Sequence, residues 1–189
     1  MNSILKKGVY FISIIFLVSC GTNKITTENK DVNTQPNSKY KESRKSYFGK
    51  LNNSEYIEMT KILETELKTK IPSNKSILVN FSQKAPNCIS VGNSAKGNMQ
   101  VTKNSIRISS RISSNNNTID FFVYTEDSFN KEIYEQMTEF ILDSGFFYEN
   151  VFTEHQNCEA FLIIKPNGDF YKFYGEDYYT EVENFLKKN

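Results

Sequence analysis

Two short apolar runs, residues 159–165 (EAFLIIK) and 169–174 (DFYKFY), stand on either side of Pro166-Asn167-Gly168. No feature restricts the fold of this chain more. Runs of that length rich in aromatic and aliphatic residues predict strands, and the Pro-Asn-Gly insert suits a tight hairpin in which Gly168 takes positive φ. Residues 76–81 (SILVNF), bounded by turn formers, and 118–124 (TIDFFVY) predict two more buried strands.

Helices are expected between and around these strands. Tyr56, Met59, Leu63, Leu67 and Ile71 fall at spacings of three or four, which predicts a helix over 53–70. Glu64–Lys68 and Glu66–Lys70 support it, and Pro72 ends it. A second helix is expected from a cap at Asp127 or Ser128, with Phe129, Ile133, Met137, Phe140 and Ile141 on one face and Gly145 as its stop. A closing helix over 177–188 packs Tyr178, Val182, Phe185 and Leu186. Residues 90–117 stay open between two readings: Ile106, Ile108 and Ile112 alternate, while Ile108 and Ile112 alone fit a helical turn. Two buried strands separated by a crossover, then a hairpin and a last helix, give an α/β fold with a mixed sheet and helices on both faces.

The 189 residues suffice for one domain of ordinary size, and no internal repeat is visible. With 38% apolar and 24% charged residues, collagen-like, coiled-coil and fully disordered classes are excluded. A net charge of +1 leaves no basic excess for a phosphate backbone, so a nucleic-acid partner is not expected.

The first twenty residues read as an address. Lys6 and Lys7 precede an uncharged, mostly apolar run over 8–18, too short to span a bilayer, which needs about 20 apolar residues. Leu17-Val18-Ser19-Cys20 resembles the bacterial lipobox. That resemblance implies a signal peptide over 1–19, a diacylglyceryl group on Cys20, a lipid anchor in a membrane as partner, and a place in the bacterial cell envelope facing the periplasm or the exterior. Residues 20–50 are rich in Asn, Lys, Thr and Ser and are expected to form a flexible tether with a reach of roughly 30 Å. Over 21–50 seven basic residues face three acidic ones; over 51–189, the expected domain, 14 face 19.

The predicted order of elements is that of the thioredoxin-like fold. Ile77 to Phe81 (ILVNF) resembles the active-site strand of membrane-linked thioredoxins of the TlpA and thiol-disulfide interchange type, and residues 161–175 (FLIIKPNGDFYKFYG) resemble their terminal hairpin. The departures are as informative. Where the family carries Trp-Cys-x-x-Cys, this chain has Ser82-Gln83-Lys84-Ala85-Pro86-Asn87-Cys88, and it has no tryptophan at all. The place of the family's cis-proline falls on Cys158 or Glu159.

With Cys20 lipidated, Cys88 and Cys158 remain, and the resemblance brings their two loops face to face. It implies a disulfide between them; two separate buried thiols and a redox-active pair are the alternatives. Lone His155, in a polar loop, reads as solvated, and a Cys88–His155–Cys158 metal cluster has no supporting spacing. Glu176-Asp177 before Tyr178-Tyr179 reads as a helix cap followed by core aromatics more readily than as a carboxylate pair beside sugar-stacking rings. Phe146, Phe147, Tyr148 and Phe152 are core or, if exposed together, a binding patch. No phosphate-cradling loop or nucleophile elbow is present, so neither cofactor nor metal is implied. These features imply a redox-inactive binding or assembly module with a protein partner. The alternatives are an atypical envelope oxidoreductase using Cys88 and Cys158, or an immunity or inhibitor lipoprotein.

Overall fold

The computed structural model describes residues 31–188, so the expected signal peptide, Cys20 and the first part of the expected tether lie outside the described residues. In chain order the elements are α1 (Ser38–Ser43), β1 (Lys45–Lys50), α2 (Asn53–Glu66), β2 (Ser76–Ser82), α3 (Ala95–Asn115), β3 (Thr118–Tyr124), α4 (Lys131–Tyr134), β4 (Phe140–Leu142), β5 (Glu159–Ile164), β6 (Asp169–Tyr174) and α5 (Tyr179–Lys187). A short 3₁₀ turn at Ser90–Gly92 precedes α3, and a π-helical turn at Phe147–Val151 follows β4. No helix among the described residues is long and apolar enough to cross a membrane.

The six strands form one sheet in the order β1-β6-β5-β2-β3-β4. β2 is parallel to β3 through the α3 crossover, with Leu78 opposite Asp120. On its other side β2 is antiparallel to β5, Val79 facing Leu162. β5 then turns back into β6 through Pro166-Asn167-Gly168, with Gly168 at φ +85° as its sequence predicts. A parallel pair joined by a crossover helix, followed by an antiparallel hairpin beside the first strand and a terminal helix, is the thioredoxin-like arrangement.

Alternation along the central strands separates two cores. Ile77, Val79 and Phe81 of β2, Ala160, Leu162 and Ile164 of β5, and Tyr174 of β6 point to one face, where α2 contributes Leu63. Leu78, Phe161, Ile163, Tyr171 and Phe173 point to the other, against Ile112 of α3 and Val182 of α5. Because both faces are covered, β2 is a continuous buried run.

Three expectations are corrected and one open segment is settled. Residues 20–50 do not form one tether: α1 packs through Tyr40, 4% exposed, and β1 pairs antiparallel with β6, so the domain begins well before residue 51. β1 has no buried face to announce it, because all six of its residues are exposed, Tyr47 and Phe48 included, and its gain is main-chain pairing with β6 together with stacking of Phe48 on Tyr171 at 4.2 Å. The second predicted helix shrinks to the four residues of α4; Phe140 and Ile141 leave it to pair with Phe122 and Val123 as β4. An apolar doublet beside an open strand edge gains more from the ladder than from helical continuation. The open segment 90–117 becomes mainly α3, a helix of 21 residues. Its inward face is small and polar, Asn98, Thr102, Ser109 and Ser113 being buried alongside Ile112, which is why apolar periodicity did not reveal it. The first predicted helix, α2, ends at Glu66, with Lys68 at φ +51°, four residues short of the predicted end.

Candidate functional site at a buried disulfide

Cys88 lies six residues beyond the end of β2 and Cys158 immediately before β5. Because β2 and β5 are neighbours in the sheet, the two loops run side by side, and Gln83 N donates to Cys158 O at 2.9 Å while Cys158 N donates to Asn87 O at 3.0 Å. The sulfurs are joined, with the Cα atoms 5.2 Å apart across a sequence separation of 70. The bridge sets aside the reading of two separate thiols and is common to a structural disulfide and to a redox-active pair in its oxidised state. It is sealed: Cys88 is 1% and Cys158 4% exposed, with Ala85, Val32, Val91 and Phe129 around them.

Three asparagines brace the bridge. Asn33, Asn87 and Asn157 form successive parallel bridges. Asn33 Nδ2 donates to Asn87 Oδ1 at 2.9 Å, and Asn157 Nδ2 donates to Ser43 O at 2.8 Å. Cys88 N donates to Asn33 O at 2.9 Å, so the segment assigned by sequence to the tether lies directly over the disulfide. Gln83 Nε2 adds a bond to Asn157 O at 2.9 Å. Asparagine suits such positions because its side chain offers both donor and acceptor to the main chain.

Glu176 is the charged residue of the site. Its expected role as cap of the closing helix is corrected: α5 begins at Tyr179 without a side-chain cap, and the Glu176 carboxyl instead accepts Ile89 N at 2.5 Å and Ser90 N at 2.8 Å, capping the 3₁₀ turn. Its Oε1 lies 3.2 Å from Cys158 Sγ. A bridged sulfur has no proton, so this is a contact and not a thiol hydrogen bond. Tyr40 OH clamps the Glu176 main chain, donating to its carbonyl at 3.1 Å and accepting from its N–H at 2.6 Å. Burial pushes the Glu176 carboxyl up to about 7, against the pull of the two backbone N–H groups, and burial together with the Glu176 charge pushes Glu159 up to about 8.

Cys88, Cys158 and Glu176 bring three potential ligand atoms within 4.8 Å of one another. The sulfurs are spent on each other, so the donor set does not fit a resident metal. His155 is not part of this group. It is half-buried, stacked on Tyr148 at 3.8 Å with its Nε2 3.2 Å from Tyr148 O, which corrects the solvated reading. Phe147 and Phe152 are core residues, Phe152 stacking on Phe81 at 4.5 Å, while Phe146 and Tyr148 pack against them. Tyr178 is buried and donates to Asn80 Oδ1 at 2.8 Å, so no sugar-stacking platform forms with Glu176 and Asp177. Among the described residues there is no cis peptide bond, Cys158 and Glu159 included.

Sequence reasoning gave no role at the site to Gln83, Asn33, Asn87 or Asn157, and met Glu159 only as a candidate for the place of the family's cis-proline. One signal was available for Glu159: a carboxylate that opens an otherwise apolar strand, directly after a cysteine, with no lysine or arginine in the preceding segment 154–158.

No protein-family model matches the chain. No curated protein matches it either. Among solved structures, the chain is similar to the thioredoxin domain of a thiol-disulfide oxidoreductase from Bacteroides vulgatus, at 17% identity and a TM-score of 0.38, over 61% of this chain and 81% of that one.

Proposed function

We propose that this chain is a lipid-anchored protein of the bacterial cell envelope whose thioredoxin-like domain serves as a binding or assembly module and not as a dithiol catalyst. The observation that carries this reading is the burial of both sulfurs, 1% and 4% exposed for Cys88 and Cys158, beneath the residue 32–33 segment. Exchange requires an attacking thiolate to reach a sulfur along the S–S axis, and a sealed bridge denies it that approach. Oxidising compartments favour such bridges, which agrees with an envelope address. The lipid anchor follows from Leu17-Val18-Ser19-Cys20 alone, and the protein partner from a fold that persists without Cys-x-x-Cys.

Insulin reduction by the full chain, with dithiothreitol as electron source, tests the reading. Turnover no faster than the uncatalysed background is expected. Catalysis that vanishes in Cys88→Ser would establish the second reading, an atypical oxidoreductase. One contact favours that alternative: Glu176 Oε1, 3.2 Å from Cys158 Sγ, is placed to protonate the thiolate that leaves when an incoming thiolate attacks Cys88. Radiolabelled palmitate incorporated by the wild type and lost in Cys20→Ala tests the anchor.

A further inference from the structure

α3 buries the wrong face for an ordinary amphipathic helix. Asn98, Thr102 and Ser109 point inward at spacings of four and seven, with half-buried Ser105 between them, whereas Val101 is 41% exposed. Ser109 is answered by Asn80, whose Nδ2 donates to its Oγ at 3.2 Å. Nearer the helix N-terminus the polar face is only partly answered. It lines a recess of about 20 Å³, the room one water or one ammonium needs, at the carboxyl ends of the parallel strands β2 and β3.

Glu159 also lines that recess. Among the described residues no hydrogen bond or ion pair reaches its side chain, and no lysine or arginine contributes to its electrostatics. Asn98, 8% exposed, donates through Nδ2 to Asn130 Oδ1 at 3.0 Å, and its own Oδ1 has no donor. In the adjoining recess, which shares Glu159, buried Gln83 Oε1 is likewise without a donor. Three acceptor side chains in these two recesses are therefore without a donor, and the first is also lined by the rings of Tyr134, Tyr178 and Tyr179 among serine and asparagine side chains. A buried acceptor left unpaired costs about 1–3 kcal/mol, so a ligand that supplies several donors and a positive charge is what this lining lacks. Tyrosine rings favour an organic ammonium over a bare metal ion by cation–π attraction. Exposed Val101 at the mouth offers apolar surface to an alkyl stem.

We propose that this recess is a binding site for a primary ammonium group, which displaces the proton of the Glu159 carboxyl and is held by the resulting carboxylate and the Asn98 side-chain oxygen, with tyrosine rings beside it and its alkyl stem leaving past Val101. The ammonium belongs either to a free alkylamine or to a lysine side chain of a partner protein. The site does not depend on whether the disulfide is inert.

Amide chemical-shift titration of the isotope-labelled full chain in detergent micelles tests it with n-butylammonium, N-acetyl-lysine N-methylamide, n-butanol and potassium ion. Saturable shifts centred on Asn98, Ser105, Glu159 and Tyr179 are expected with the two amines and not with the alcohol or potassium. Glu159→Gln, which keeps the side chain's shape, should weaken amine binding at least about tenfold. Tighter binding of the lysine derivative than of butylammonium would identify the source as a protein side chain, and the reverse a free amine; both sustain the site. Equal responses to amine and alcohol, equal responses to amine and potassium, undiminished binding in Glu159→Gln, or no saturable shift would each overturn it.

Discussion

Replacing both bridged cysteines by alanine should remove a large share of the domain's stability. The bridge closes a loop of 70 residues, and constraining that loop in the unfolded chain is worth about 4 kcal/mol by the chain-entropy relation. Both sulfurs are almost fully buried, so their loss also leaves a small void that adds up to about 1 kcal/mol. The sum, about 4–5 kcal/mol, is comparable to much of the net stability of an ordinary domain and corresponds to a fall in Tm of about 10–15 °C. Alanine is preferred to serine because two buried hydroxyls would add their own desolvation penalty. Urea titration followed by far-UV circular dichroism, on wild type whose bridge is verified by non-reducing mass spectrometry, measures the difference. The double variant should also show a steeper denaturant dependence, since its unfolded chain exposes more surface. A loss under about 1 kcal/mol would refute the reasoning, because it would mean that the unfolded ensemble already holds these loops together.

Two other perturbations follow from the geometry. Glu159 and Glu176 are raised to about 8 and about 7 from an ordinary 4.5, so the folded state holds protons that the unfolded state releases; their contribution is complete below about pH 4.5 and is lost as pH rises through 7 to 8. Glu159→Gln should therefore flatten the fall in urea stability between pH 5 and 8 and gain about 2 kcal/mol at the alkaline end, after allowance for solvent at this partly exposed carboxyl; an unchanged slope would remove Glu159 from the account. At the hairpin, Gly168 sits at φ +85°, and Leu51 O lies well inside contact distance of the point where a Cβ would stand. Gly168→Ala should cost about 2 kcal/mol or more in a thermal melt, and parity with the wild type would contradict the tight approach of the hairpin turn to the residue that follows β1.

How much the sequence disclosed depended on whether a residue's neighbours lay close along the chain. The β5–β6 hairpin was legible because its turn residues and both apolar runs are contiguous, and β2 because a strand buried on both faces is apolar throughout. α3 was hidden by a buried face written in serine, threonine and asparagine. β4 was hidden because Phe140 and Ile141 satisfy a helical repeat as well as a ladder, and only the open edge of β3 decides between them. At the site, pairing of Cys88 with Cys158 was within reach once the order of strands was read. Glu176 was not: its acceptor role at Ile89 and Ser90 joins residues 86 or more positions apart, and nothing local distinguishes it from a helix cap.

The bridge also decides what a protease could accomplish. Residues 89–157, with the crossover helix and two of the six strands, lie inside one covalent ring inserted between the adjacent strands β2 and β5. A single nick anywhere in that ring, for instance in the stretch between α4 and β4, severs the chain but releases neither half: one band on a non-reducing gel, two after reduction. A cut inside the ring therefore cannot separate the carboxyl-terminal hairpin from the amino-terminal segment.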